Sequence, residues 1–306
     1  MKIRLGTRGS ALALWQARKV EALIKAASPG AETAIVIIRT KGDVVTGKPL
    51  HELGGTGVFV KELEKALLED EIDAAVHSLK DMPLRTPAGL RLAACLEREW
   101  PGDAFVSARY ADLASVPAGG RIGAGSLRRE SQLRALRPDL SAAPLRGNVE
   151  SRVAKLRTEG LDGIVIAAAG LSRLGMAAAI VERLPPELFT PAPGQGIIAL
   201  ETRDGTGEPG APLARLDDAA SRESYRLETA FLAETGGGCS LPVGALCLPR
   251  PGGFALHGYI GDREGRRVHR GSALLASGDT EGAAALAGKL LDAGGRTVLD
   301  ELRAKR

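Results

Sequence analysis

Three kinds of residue in this chain are placed to do chemistry: arginines at strand-to-helix junctions, an aspartate beside a lysine, and a cysteine among glycines. Arg8 and Ser10 follow a short apolar run and precede an amphipathic stretch. Ser126, Arg128 and Arg129 stand at a second predicted helix start. Arg146 precedes Gly147-Asn148 at a third, with Arg152 one turn along. Backbone N–H groups at a helix start favour anions, and α/β sheets hold ligands at strand ends. Guanidinium forks suit carboxylate or phosphate. Between residues 121 and 157, eight Arg and one Lys face three carboxylates, a net +6 against +4 for the whole chain, so the remainder is −2. Solvated helix faces account for Arg134, Arg137 and Arg157, but less well for the arginines at junctions. Aromatics make up only 3%, which leaves few stacking platforms for single-stranded nucleic acid. A small polyanion is the expected ligand, and nucleic acid is not an expected partner.

Lys80-Asp81 follows a predicted strand, 73–77, again at its C-terminal end. A carboxylate there can stabilise a cation or move a proton; on spacing alone, a surface ion pair is the commoner role. Of the three cysteines, Cys95 and Cys247 sit in apolar runs and read as small core residues. Cys239 follows Gly236-Gly-Gly and precedes Ser240-Leu-Pro242. Nothing bulky flanks it, so it is the candidate reactive thiol, with an ordinary turn residue as the alternative. Three cysteines cannot build a disulfide framework, and a reducing, cytoplasmic location is expected. The histidines at 51, 77, 257 and 269 lack metal-ligand spacing, so no metal is expected. Gly42-Asp-Val-Val-Thr-Gly47-Lys48 imitates a phosphate loop, but Pro49 stands where the magnesium-binding hydroxyl belongs.

The elements that must position these residues follow an α/β rhythm. The chain has 306 residues, 44% of them hydrophobic, enough for a packed core and more than one domain. No apolar run approaches the ~20 residues that cross a bilayer, and no membrane partner is expected. Residues 3–6, 34–38, 73–77 and 90–96 read as strands, with 34–38 buried on both faces. Helices are expected over 10–26 and 58–68, the second after a loop containing Gly54, Gly55 and Gly57. A second unit begins near Asp103, with strands at 104–107, 121–123 and 163–168 and helices after Ser126 and Asn148. This alternation predicts mostly parallel sheets covered by helices. The strand 197–201 could join either sheet, and 204–212 reads as a linker. A helix over 217–235, three antiparallel strands (243–248, 253–260, 268–276) and two helices make a small α+β ending.

Eight blocks, in order, carry a resemblance to the porphobilinogen deaminase family. They are Gly6-Thr-Arg-Gly-Ser-Ala-Leu-Ala-Leu-Trp-Gln16, Val58-Phe-Val-Lys-Glu-Leu-Glu64, His77-Ser-Leu-Lys-Asp-Met-Pro83, and Gly125-Ser-Leu-Arg-Arg129. Then come Leu145-Arg-Gly-Asn-Val149 with Arg152, Ala169-Gly-Leu-Ser-Arg-Leu-Gly175, Pro191-Ala-Pro-Gly-Gln-Gly196, and Gly237-Gly-Cys-Ser-Leu-Pro-Val-Gly244. The resemblance implies two periplasmic-binding-protein-like α/β domains around a cleft, plus a smaller C-terminal α+β domain. Domain 1 would be 1–97 with 197–216, domain 2 98–196, and domain 3 217–306. It implies a cytoplasmic, monomeric transferase that joins four porphobilinogen molecules into hydroxymethylbilane, releasing ammonia each time.

The implied cofactor is dipyrromethane, held as a thioether by Cys239. Asp81 matches the catalytic aspartate, which would stabilise the cationic azafulvene left by ammonia. Lys80, Ser126, Arg128, Arg129 and Arg146 match cofactor-carboxylate positions. Arg8, Ser10, Arg152, Arg173, Phe59 and Gln195 match substrate positions. Thr56 and Glu52 depart from a commonly basic loop, Gly236 from a frequent glutamate, and Ala124-Gly125 from a frequent Thr-Ser. The Gly236 exchange is expected to loosen the cofactor loop, and the segment around Gly54–Gly57 is a candidate lid. The opposing reading, a non-catalytic solute-binding protein, would favour a secretory or lipoprotein signal. The N-terminal stretch reads instead as an amphipathic helix.

Overall fold

The computed structural model describes residues 2–39, 60–205, 210–236 and 241–304. The chain packs as two compact units, Met1–Glu99 with Gly196–Arg222, and Trp100–Gln195 with Glu223–Arg306. In chain order the first part gives β1 (Lys2–Thr7), α1 (Ala11–Ala27), β2 (Glu32–Ile37), α2 (Lys61–Leu68), β3 (Ala74–Ser78), a 3-10 turn (Leu79–Asp81) and β4 (Leu90–Cys95). The second part adds β5 (Asp103–Val106), β6 (Arg121–Ala124), α3 (Leu127–Leu136), β7 (Ser141–Pro144), α4 (Val149–Thr158), β8 (Gly163–Ala167), α5 (Ala168–Arg173) and β9 (Glu182–Arg183). The chain continues through β10 (Ile198–Arg203), α6 (Gly210–Ala214) and α7 (Ala219–Glu234). It closes with β11 (Val243–Arg250), β12 (Gly253–Gly261), β13 (Val268–Leu275), α8 (Thr280–Leu290) and α9 (Arg296–Ala304).

Each α/β part is built on a five-stranded sheet, ordered β2-β1-β3-β10-β4 in the first unit and β7-β6-β8-β5-β9 in the second. The sheets are mixed rather than mostly parallel. One strand in each, β10 and β5, runs antiparallel to both its neighbours. The side-chain period of two sends alternate residues to opposite layers. Ile3, Leu5, Ala74 and Val76 pack with α1, while Ala75 packs with α2. In the second unit Ala104, Val106, Ile164 and Ile166 share one core, and Phe105 and Val165 the other. On α1, the fully buried Val20 and Ile24 each contribute about 1.5–3 kcal/mol relative to exposure.

Three further expectations need correction. The segment expected to be a strand buried on both faces is β2, the edge strand, and Ile37 at its end is 55% exposed. An apolar run by itself does not tell an edge strand from a central one. The expected linker 204–212 overlaps α6, whose Leu213 is fully buried in the first unit's core. Arg137, assigned to a solvated face, instead donates to the carbonyls of Leu113, Ala114 and Val116 and pairs with Asp139. β10 joins the first sheet beside β3. The last strands form the antiparallel sheet β11-β12-β13, whose core includes Phe231 of α7, Leu286 and Leu290 of α8, and Leu299 of α9. Cys95 and Cys247 are fully buried, and burial pushes the Cys95 thiol up to about 12. Among the described residues no helix is long and apolar enough to cross a membrane.

Gly196 permits the return of the chain to the first sheet. Its φ is +92°, and a Cβ there would meet the Glu99 carbonyl oxygen at 2.5 Å. Gly196→Ala should therefore destabilise the protein by about 2 kcal/mol or more. Urea denaturation measures this, and a loss within error of zero would show that the return segment relaxes freely.

Candidate active site

In the first unit, β1 delivers Arg8 to the start of α1. The Thr7 hydroxyl donates to Ala13 O at 3.0 Å, tying the strand end to the helix. Ser10 is the extended N-cap (φ −69°, ψ 150°), and its Oγ accepts the Ala13 N–H at 3.3 Å. This leaves the serine's own hydroxyl hydrogen free to donate elsewhere. β3 ends at Ser78, and the following 3-10 turn carries Lys80 and Asp81. Leu79, buried between them and the strand, donates its N–H to Ile197 O at 3.0 Å. Gln16 of α1 donates to Ser78 Oγ at 2.8 Å. The result is a cavity of about 70 Å³ whose wall includes Arg8, Ser10, Gln16, His77 and Asp81.

Behind that wall lies a buried acidic cluster that sequence reasoning missed. In the antiparallel β3–β10 pair, His77 faces Ala199 and Ala75 faces Glu201, so His77 and Glu201 are diagonal neighbours on one face. His77 Nε2 lies 3.2 Å from Glu201 Oε2, with side chains 3% and 0% exposed. Glu64 on α2 joins them. Burial, and then the Glu201 charge, push the Glu64 carboxyl above the usual range against opposing pulls from His77 and Lys61. Glu64 Oε1 and Glu201 Oε1 are buried without hydrogen-bond partners among the described residues. A signal was available: Glu201 directly follows the apolar run Ile197–Leu200 and is fully buried in the same strand.

In the second unit, Ser126 caps α3 by accepting the Arg129 N–H at 3.3 Å. Arg128 and Arg129, each 5% exposed, fall in the first turn of α3 and turn onto Asp103, which is fully buried. The contacts are 2.9 Å from Arg128 to Oδ2 and 2.7 Å from Arg129 to Oδ1. Arg128 also donates to Thr190 O at 2.7 Å. Burial lowers the Arg128 guanidinium against the pull of Asp103. Gln195, 1% exposed, donates to Pro101 O and to Asp103 Oδ1 at 3.0 Å. Two guanidiniums thus share one carboxylate, and Arg129 Nε is buried with no partner among the described residues.

Asn148 caps α4, accepting the Ser151 N–H at 2.8 Å. Arg146, just before it, is half-buried and has no ion pair or hydrogen bond among the described residues. Burial lowers its guanidinium with no anion acting against it. Arg152 donates to Gly147 O at 2.7 Å, and Arg173 is buried at the end of α5. Phe59 and Cys239 lie outside the described residues, as do Glu52, Thr56, the candidate lid near Gly54–Gly57 and the phosphate-loop imitation. Gly236 ends α7 with φ +57°, a conformation glycine adopts without strain. Arg303 of α9 holds that end through Thr235 O at 2.7 Å. The first unit therefore offers carboxylates and hydroxyls with one arginine. The second offers an excess of guanidinium that fits a carboxylate-bearing group.

Two consequences can be measured. Asp103→Asn keeps the shape but leaves two buried cations without an anion, which should cost about 3 kcal/mol in urea denaturation. A neutral result would mean that those arginines are hydrated. For Glu64, the folded chain retains a proton that the unfolded chain has lost. Stability therefore falls as pH rises from the unfolded carboxyl value, about 4.3, through the raised folded value. Glu64→Gln should be more stable than the parent at neutral pH, with the gap closing near about pH 4. An equal gap at both pH values would contradict this.

Known proteins resemble the chain over nearly its whole length. The family described as "Porphobilinogen deaminase, dipyromethane cofactor binding domain" matches residues 3–209. A porphobilinogen deaminase of Roseiflexus castenholzii is 47% identical over 298 residues, 97% of this chain and 98% of the relative. One from Syntrophus aciditrophicus is 43% identical over 304 residues, 98% of both chains. Among solved structures, lipoprotein Tp32 of Treponema pallidum is similar over 73% of this chain and 93% of its own, with TM-score 0.46 and 13% identity. The chain belongs to the porphobilinogen deaminase family.

Proposed function

We propose that the chain condenses porphobilinogen head to tail, four molecules to one linear hydroxymethylbilane, and works as a cytoplasmic monomer with dipyrromethane on the Cys239 sulfur. Porphobilinogen deaminase activity and a dipyrromethane-binding domain come with the family. The residue roles, the division into 1–97 with 197–216, 98–196 and 217–306, the monomer and the compartment are our reading. The observation that supports the roles best is the cavity of the first unit, where Arg8, Ser10 and Asp81, from distant sequence blocks, share one wall.

Porphobilinogen carries a primary amine and two carboxylates. When ammonia leaves, the C–N bond breaks with its electron pair on nitrogen, and the ring methylene becomes cationic. Asp81 stabilises that charge and holds protons at the departing nitrogen. It can do so because the 3-10 turn fixes it at the strand end, beside Arg8 and the Ser10 hydroxyl, which receive substrate carboxylate. When bound, dipyrromethane supplies the pyrrole end to which substrate is joined.

Lys80, Ser126, Arg128, Arg129 and Arg146 would hold the cofactor's carboxylates. The unpartnered Arg129 Nε and the Arg146 guanidinium support this assignment. Arg152, Arg173 and Phe59 are assigned to substrate. Gln195 contributes by bracing Asp103, and through it Arg129.

Intact mass and turnover test this together. The purified protein should exceed its chain mass by two pyrrole units, and Cys239→Ser should lose the excess. Asp81→Ala should keep the excess yet lose turnover by about 10²–10⁴-fold. An unmodified Cys239 in active protein, or near-normal turnover in Asp81→Ala, would overturn the corresponding role.

A further inference from the structure

We propose that His77 is a further substrate-positioning residue: locked by Glu201, its imidazole offers the Nδ1 lone pair to the cavity, where with Asp81 it receives the ammonium of the incoming aminomethyl group. His77 is part of the same cavity wall as Asp81 and Arg8. Its Nε2 is taken by Glu201 Oε2 at 3.2 Å. An ionised carboxylate only accepts, so Nε2 carries the hydrogen, and in the neutral ring the lone pair is left on Nδ1. Among the described residues none bonds Nδ1.

The surroundings favour a cation there. Glu201 approaches from β10, Glu64 from α2 and Asp81 from the turn after β3. Arg8 at the end of β1 and Lys61 on α2 oppose them. Among the described residues Glu64 Oε1 and Glu201 Oε1 remain buried without partners, a costly arrangement that calls for a functional reason. An ammonium at Nδ1 supplies one, because it brings positive charge to the edge of a cluster rich in carboxyls. His77 holds an N–H of the amine before the C–N bond breaks. The electron pair leaves with nitrogen as ammonia, and His77 takes nothing from carbon.

This inference rests on the proposed function, so its test has a part that does not use turnover. Nitrogen-15 NMR of the histidine-labelled, full-length loaded enzyme at neutral pH reads the tautomer directly, with His77→Asn assigning the signal. We expect the Nε2–H tautomer, and a shift of the Nδ1 signal on adding 2-aminomethylpyrrole, which has the amine but no carboxylate. 2-Methylpyrrole, which lacks the amine, should leave it unmoved. An Nδ1–H tautomer, or an Nδ1 signal indifferent to the amine, overturns the proposal. In kinetics, folded His77→Asn and Glu201→Gln should each raise KM for porphobilinogen about tenfold, with a smaller effect on kcat. An unchanged KM in both overturns it too. A wild-type protein that does not consume porphobilinogen would instead sink the functional reading, while the NMR still decides whether the cavity takes an ammonium.

Discussion

A guanidinium that leaves water must find an anion, and in the second unit Asp103 is the carboxylate that two of them share. Much of that unit's local order follows from this constraint. Arg128 and Arg129 are consecutive, so α3 must present its first turn to the end of β5 for both to reach one carboxylate. Ser126 fixes where that turn begins, Thr190 O takes the second arm of Arg128, and Gln195 braces Asp103 from the loop before Gly196. The charges still do not balance. Among the described residues, one buried carboxylate against two buried cations leaves a positive remainder, and Arg129 Nε has no acceptor. An acidic ligand would complete the cluster instead of competing with it. A buried ion pair is weak evidence for stability, and this one is better understood as holding two forks in register.

The first unit inverts the balance. Glu201 pairs with His77, and Glu64 feels the charge of both, beside a cavity whose wall includes His77, Asp81 and Arg8. Glu64 is raised first because burial strips water from its charged form, and then because a second carboxylate charge beside Glu201 is unfavourable. One unit therefore suits a cation beside an anion, and the other suits anions. Porphobilinogen carries both kinds of charge, and the growing product accumulates carboxylates.

The sequence made the junctions legible because helix caps and strand ends have local signatures. Ser10, Ser126 and Asn148 each cap the helix expected of them, and Cys95 and Cys247 are core residues as their apolar neighbours implied. What stayed hidden depends on partners far away in the chain. β7, Ser141–Pro144, has no apolar alternation and exists as a strand because β6 pairs with it. Arg137 looks solvated until the Leu113–Val116 carbonyls close around it. His77 and Glu201 are 124 residues apart, and only the pairing of β3 with β10 brings them together. Asp103 and Glu201 share a faint local mark, an acid directly beside an apolar run of its strand, which is costly to bury unless something pairs with it.

The caps also refine how an anion would be held. A helix start attracts anions through unsatisfied N–H groups. At all three junctions, however, a side-chain oxygen already accepts an N–H of the first turn: Ser10 from Ala13, Ser126 from Arg129 and Asn148 from Ser151. The backbone contribution is thereby reduced, and recognition shifts to side chains. For Ser10 and Ser126 the hydroxyl hydrogen remains to donate, because the oxygen can accept one bond while giving another. A hydroxyl fixed by capping, beside arginines fixed by burial, loses little side-chain freedom when carboxylate arrives. The helix starts thus hold in place the groups that would bind an anion, more than they would bind it directly.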